Sequence, residues 1–231
     1  MIDILLIEDE PDLGTLLTRY LQNKGFQVSW KQTVESALQE FAAASYRLVI
    51  IDIQLPDGDG FSLAQRIKAD VPLQPMFFLT AVGGKENRKK GLEMGAFDYI
   101  EKPFEMDELM LKIVNVIRFS TVTGTTTQTK HNIYIGTILM DGKRLLLTYP
   151  NGEKKSMTLR ETQIILYLLE RKNELVPKKD LLLQFWGNTD YFNGKSLEVF
   201  ISRIRKLLSA DPTIGIESIY GAGYILNVGT S

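Results

Sequence analysis

Residues 49–60, VIIDIQLPDGDG, run an apolar segment straight into Asp52 and then into a turn of alternating Asp and Gly. Turn chemistry accounts for Asp57 and Asp59, because Asp and Gly tolerate the backbone angles of tight turns. It does not account for Asp52, which abuts the apolar run, where an unpaired charge is costly to bury. Other apolar runs end on related chemistry: ILLI (4–7) leads into Glu8-Asp9, MFFL (76–79) into Thr80, and DYI (98–100) is followed by Lys102-Pro103. If these runs are neighbouring parallel strands, their carboxyl ends gather three carboxylates, a hydroxyl and an ammonium at one pole, the place where open α/β sheets bind ligands. Crowded carboxylates repel one another, and a shared proton or a hard divalent cation relieves them. Mg2+ suits the site better than a proton, since it prefers carboxylate oxygen and keeps waters that a phosphate oxygen can displace.

The elements that must position these groups alternate along the first half. Apolar runs at 4–7, 26–30, 48–51, 76–79 and 98–100 read as strands. Between and after them, DLGTLLTRYLQNKG, VESALQEFAAA, FSLAQRIKA, KENRKKGLEMG and MDELMLKIVNVIR read as helices. Near-continuous apolar strands imply a sheet covered on both faces, hence a doubly wound, five-stranded parallel α/β domain over residues 1–118. The threonine-rich stretch STVTGTTTQTKHN, 119–131, has no apolar periodicity and reads as a linker. Residues 132–231 open with β-like segments and continue with a Thr158/Glu161 capping box ahead of QIILYLLERK. A second helix is expected from Pro177 to Trp186 and a third over about 194–209. The tail IGIESIYGAGYILNV reads as a hairpin, and three helices with it read as an α+β winged helix-turn-helix.

Composition narrows the function classes. The chain has 231 residues, 44% of them apolar, enough for two cores, and no apolar run nears the ~20 residues of a membrane span. With acids in MIDILLIEDE where an export signal has lysines, a soluble cytoplasmic protein with no membrane partner is expected. There is no cysteine, and His131 is the one histidine, so disulfides and zinc clusters are excluded and a metal must be held by oxygen. Residues 1–118 carry 13 Lys+Arg against 18 Asp+Glu, a balance of −5; residues 119–231 carry 14 against 10, a balance of +4. A basic second half raises the expectation of a nucleic-acid partner.

Glu8-Asp9, Asp52, Thr80 with Ala81, and Lys102-Pro103-Phe104, in that order, resemble the flavodoxin-like receiver domain of two-component response regulators over essentially all of 1–118. The resemblance implies that Asp52 accepts a phosphoryl group from a sensor histidine kinase. It implies Mg2+ held by Asp9, Asp52 and the Gln54 backbone carbonyl, with Glu8 acting through water. Lys102 and Thr80 would serve the transfer itself, with Lys102 neutralising phosphoryl oxygens across a cis Lys-Pro bond. Thr80 and Tyr99 would form the switch: the hydroxyl follows the new acceptor and the aromatic rotates inward. Two positions depart from the family. Gln54 stands where Met is frequent, and Phe97, in GAFDY, where Asp is usual. The latter acid belongs to the face through which activated receivers form a homodimer; Arg88, Lys90, Asp98, Glu108 and Lys112 are candidates for what remains of it.

In the second half, Leu197, Ile201, Ile204 and Leu208 fall on one stripe of the third helix, which sets Lys195, Val199, Ser202, Arg203 and Lys206 outward. Such a face suits the major groove of double-stranded DNA. The order LRETQIILYLLE, LLLQFWG, KSLEVFISRIRKLL, IESIYGAGYIL resembles the DNA-binding domain of OmpR/PhoB-type regulators over about 132–228. The implied DNA-binding set is Lys195, Ser196, Val199, Ser202, Arg203, Arg205, Lys206 and Tyr220, with Glu198 orienting basic neighbours. Tyr220 stands where an arginine commonly enters the minor groove. Trp186–Asp190 matches the loop used toward RNA polymerase, with a buried, core-capping Trp186 as the other reading. The expected function is therefore a phosphorylation-controlled transcriptional regulator and not an enzyme. The competing class is a Mg2+-dependent phosphotransferase or phosphatase that uses Asp52 as nucleophile and turns over. A phosphorylation-independent DNA-binding protein is a third, against which the retained acid pair argues.

Overall fold

The computed structural model describes residues 2–81, 90–92, 94, 96–122 and 132–229. The chain divides into two compact units, Met1–Thr125 and Thr126–Ser231. In the first, strands β1 (Ile2–Ile7), β2 (Val28–Lys31), β3 (Tyr46–Asp52), β6 (Met76–Ala81) and β7 (Asp98–Lys102) form the expected parallel sheet, in the order β2-β1-β3-β6-β7. A two-residue hairpin, β4 (Gln54–Leu55) with β5 (Gly58–Asp59), follows β3. Helices α1 (Pro11–Asn23), α2 (Val34–Ala43), α3 (Gly60–Asp70) and α4 (Met106–Val122) cover the sheet. The residues of β1 from Ile4 to Ile7 are fully buried, as are Leu48–Ile51 of β3, which is why these strands read as unbroken apolar runs. Strand order reverses between β1 and β3, and such a switch point opens a crevice at the strands' carboxyl ends. Ile7 pairs with Ile51, so Glu8 and Asp52 leave their strands at the same level.

Helix α4 continues to Val122, four residues beyond the expected boundary at 118, and residues 123–131 of the expected linker lie outside the described residues. So does most of the fourth expected helix, of which residues 90–92 are described and helical.

The second unit opens with an antiparallel sheet of order β11-β10-β9-β8: β8 (Asn132–Ile135), β9 (Ile138–Asp141), β10 (Leu146–Thr148) and β11 (Lys154–Ser156). Helix α5 (Leu159–Leu169) starts at the capping box, with both reciprocal bonds between Thr158 and Glu161 made. Strand β12 (Leu175–Pro177), which the sequence pattern did not reveal, leads into α6 (Lys178–Trp186). Helix α7 (Tyr191–Leu208) begins three residues before the expected Gly194, because Asp190 caps it by accepting from Asn193 N. The terminal hairpin, β13 (Ile214–Ile219) and β14 (Gly223–Val228), takes β12 as a third strand. Among the described residues no helix is long and apolar enough to cross a membrane.

Candidate phosphoryl site and nucleic-acid interface

At the switch point the sheet delivers Glu8, Asp9 and Asp52 with one carboxylate oxygen each within 4.8 Å of the others. Glu8 is fully buried and Asp52 is 5% exposed, while Asp9 is exposed, so the cluster opens to solvent on one side. Lys102 Nζ donates to Asp52 Oδ2 at 2.5 Å and to Glu8 Oε1 at 2.9 Å, and the Lys102–Pro103 peptide is cis. Asp52 Oδ1 accepts from the Gln54 amide at 2.9 Å. Gly60 opens α3 against this strand end: a Cβ there would lie 2.2 Å from the Asp52 carbonyl oxygen, so the last residue of Gly58-Asp59-Gly60 is required by close approach.

Two carboxylates share one ammonium, and the electrostatics register the shortfall. Burial pushes Glu8 up to about 7, against the bond from Lys102 and with the help of the Asp52 charge. Burial by itself would lower Lys102, but its bonds to Asp52 and Glu8 outweigh that and hold it above the usual lysine range. Clustered hard oxygens, an excess of negative charge and an exposed side fit a divalent cation of the Mg2+ type.

Thr80, 7% exposed, donates its hydroxyl to the Ala81 carbonyl at 3.0 Å. Tyr99 is 2% exposed, its ring tilted against Phe78 at 6.4 Å. The aromatic is thus buried in the receiver core. Of the expected dimer-face residues, Arg88 lies outside the described residues. Lys90 is exposed, with its ammonium over the Phe61 ring, and Glu108 is partly exposed. Asp98 and Lys112 correct their place on that face: both are buried and joined at 2.7 Å, a buried carboxylate needing an internal cation.

The interface candidates of the second unit also sort by burial. Leu197, Ile201, Ile204 and Leu208 form the buried stripe as the wheel requires. A second, adjacent stripe of Ser196, Phe200, Arg203 and Leu207 is buried or half-buried too, since α7 is wedged among α5, α6 and β13. Ser196 is therefore fully buried and cannot meet a duplex, a correction to its place in the DNA-binding set. Arg203 is turned inward, its Nε 2.6 Å from Glu161 Oε1 at the head of α5. Arg205 donates to the Ile216 carbonyl at 2.8 Å and to Ser218 Oγ at 2.7 Å, bracing α7 against the hairpin. Lys195, Ser202 and Lys206 remain exposed, as does Val199 at least in part, and Tyr220 stands fully exposed at the tip of the hairpin. Glu198 accepts from both Lys178 (3.0 Å) and Lys195 (2.8 Å), the orienting role expected of it, with Lys178 the partner that sequence reasoning missed. Trp186 is 3% exposed and packs against Phe185, Phe200 and the Arg160 guanidinium, which decides between its two readings in favour of the core.

Residues 4–114 match the family described as response regulator receiver domain, and residues 152–226 match transcriptional regulatory protein, C terminal. The chain is 35% identical over 223 residues to the transcriptional regulatory protein RprY of Bacteroides fragilis, a match covering 96% of this chain and 93% of that one. It is 31% identical to CssR of Bacillus subtilis over 221 residues, 96% of each. The chain belongs to the OmpR/PhoB family of two-component response regulators. Among solved structures, the OmpR/PhoB homologue DrrB of Thermotoga maritima matches with a TM-score of 0.52 and 25% identity, over 98% of this chain and 99% of that one. A mutant of RitR, at 22% identity and a TM-score of 0.69 over 99% and 100%, shares the fold. This response regulator is accordingly a phosphorylation-controlled, DNA-binding regulator of transcription.

Proposed function

We propose that Asp52 is the phosphoacceptor and that its donor is the phosphohistidine of a sensor histidine kinase. A carboxylate oxygen of Asp52 attacks phosphorus, the P–N bond to the histidine breaks, and an acyl phosphate forms. Asp9 and Asp52 would hold Mg2+ with the Gln54 carbonyl, and Glu8 through water. When bound, the ion supplies positive charge to the transferring phosphoryl oxygens. Lys102, already within bonding distance of Asp52, turns to the same oxygens, which stabilises charge with little reorganisation. The new group brings roughly −1.5 to −2 charges and three acceptors. The Thr80 hydroxyl exchanges the Ala81 carbonyl for one of those acceptors, and the ring of Tyr99 follows the hydroxyl.

The phosphoryl group is kept as a signal rather than turned over, and it favours a receiver homodimer through a surface that includes Lys90 and Glu108. Pairing sets two winged units on a repeated half-site of double-stranded DNA, a gain in effective concentration that needs no new DNA contact. Lys195, Val199, Ser202 and Lys206 face the major groove. Arg203 and Arg205 hold α7 in place for them, and Tyr220 meets the duplex at the wing. The loop 187–190 faces RNA polymerase in the cytoplasm.

The single observation that supports this reading most is the shared ammonium: one lysine between two buried acids beside an exposed third. Intact mass after incubation with a small phosphodonor and Mg2+ tests it. One stable adduct is expected on the native protein and none on Asp52→Ala; equal uptake by the variant overturns the assignment, and continuous phosphate release overturns the signalling role.

A further inference from the structure

The loop that presents Glu8 and Asp9 is weakly fixed by its own residues, the Glu10 amide reaching Glu8 Oε1 only at 3.4 Å. Glu10, at the N-cap of α1, makes no side-chain capping bond. The loop is held from the neighbouring strand instead. Glu8 N donates to the Lys31 carbonyl at 3.0 Å, Gln32 Nε2 to the Asp9 carbonyl at 3.4 Å, and Trp30 Nε1 to the Glu8 carbonyl at 2.8 Å. Of the two side-chain bonds, that of the indole is the shorter and is partly shielded from water.

The indole is seated by one residue of α1. A Cβ on Gly14 would lie 2.2 Å from Trp30 Cζ2, 2.3 Å from Cε2 and 2.6 Å from Nε1, far inside contact distance. Gly14 is buried and helical, a position where alanine would otherwise be favoured by helix propensity. The missing side chain therefore makes room for the edge of the ring that carries the N–H. Sequence, packing and site join here: a glycine in the first turn of α1 admits a tryptophan from β2, and the tryptophan pins the carbonyl between the two acids.

We propose that Trp30, seated by Gly14, is a positioning residue for the acidic cluster: it sets the spacing of Glu8 and Asp9 relative to Asp52 and so tunes Mg2+ affinity. The inference rests on the metal reading given above, and its lesions differ from that reading's. Metal ligands lost outright abolish binding, whereas a lost tether weakens it.

Mg2+ titrations of the full-length protein by calorimetry test the idea, with tryptophan emission as a second readout. Trp30→Phe, which keeps a ring and loses the donor, is expected to weaken Mg2+ binding by roughly three- to tenfold, the span of one lost hydrogen bond. Mg2+ is expected to change tryptophan emission in the native protein, and Trp30→Phe should remove that change. Gly14→Ala, a different lesion, is expected to weaken binding in the same way, and the double variant to bind no more weakly than the poorer single one, since both break one contact. Leu17→Ala, on the buried face of α1, destabilises the same helix without touching the tether and should leave Mg2+ affinity unchanged. Unchanged affinity in Trp30→Phe and Gly14→Ala overturns the proposal, as does equal weakening in Leu17→Ala or additivity in the double variant. A native protein that binds no Mg2+ overturns the metal reading itself and this inference with it.

Discussion

In the winged unit, the buried carboxylate of Asp211 accepts four hydrogen bonds, from the amides and hydroxyls of Thr137 and Thr213 at 2.6–2.9 Å. In the receiver, the buried carboxylates of Glu8 and Asp52 divide one ammonium between them. Bonding from Thr213 and Thr137 holds Asp211 far below the usual carboxylate range, whereas burial lifts Glu8 to about 7. Nor is the receiver short of means to satisfy an acid: Asp98, fully buried, has both Lys112 at 2.7 Å and the Tyr99 amide at 2.8 Å. What sets the switch point apart is that two buried acids hold a single cation between them. Asp211 and Asp98 each have donors of their own, whereas the acids proposed to meet a cation or a phosphoryl group share one positive charge.

The sharpest way to break this comparison is to delete one acid from each unit and follow the unfolding transitions in denaturant. Asp211→Ala orphans donors from two threonines and is expected to destabilise the winged unit by roughly 2–4 kcal/mol. Asp52→Asn removes repulsion and is expected to stabilise the receiver by about 1 kcal/mol in the absence of Mg2+. If both variants lose stability alike, the acids are not differently treated.

A smaller effect separates support from contact within α7. Arg203→Ala leaves Glu161 without its cation at the head of α5 and should destabilise the winged unit by about 2 kcal/mol, less than a fully buried pair because Arg203 is partly exposed. Lys206→Ala should leave stability unchanged and reduce the salt dependence of DNA binding by about one phosphate contact. Melting curves together with binding isotherms over a salt series read both.

Titration gives opposite signs in the two units. The folded pKa of Glu8 lies above its unfolded value, so the stability it contributes is full below the ordinary glutamate range and is lost as pH rises through about 7. That of Asp211 is depressed, so its contribution is present above the ordinary aspartate range and is lost as pH falls below it. Between neutral and mildly acid pH, the metal-free receiver should therefore gain stability while the winged unit holds steady, and only stronger acid should loosen the latter. Unfolding midpoints across pH, followed by Trp30 emission for one unit and Trp186 emission for the other, check the signs. The smallest change is expected from Tyr220→Arg at the exposed wing tip, which should steepen the salt dependence of DNA binding by about one contact without altering the fold.

Much of this could be read along the chain. Strands buried on both faces betray themselves as apolar runs, so the residues that end them could be named, and the capping box at Thr158 and Glu161 marked a helix start by local chemistry alone. What escaped were polar residues whose surroundings come from other elements. The helical wheel located the centre of the buried face of α7 but not its width, which is set by three packing partners; hence Ser196 and Arg203 looked available. Asp57 passed for a turn residue, yet its carboxylate accepts from the amides of Val34 and Glu35 and so caps α2 from 22 and 23 residues away. Nothing near Trp30 in the chain announces that its N–H reaches Glu8.

The sequence by itself determined which residues end the strands, where the two units divide in character, and which faces of the helices are apolar, because burial and local capping leave their pattern in neighbouring residues. Only the tertiary structure decided which charges are spent on one another and which stand open to solvent. That outcome depends on distances of a few ångströms between segments far apart in the chain, and periodicity holds no record of them.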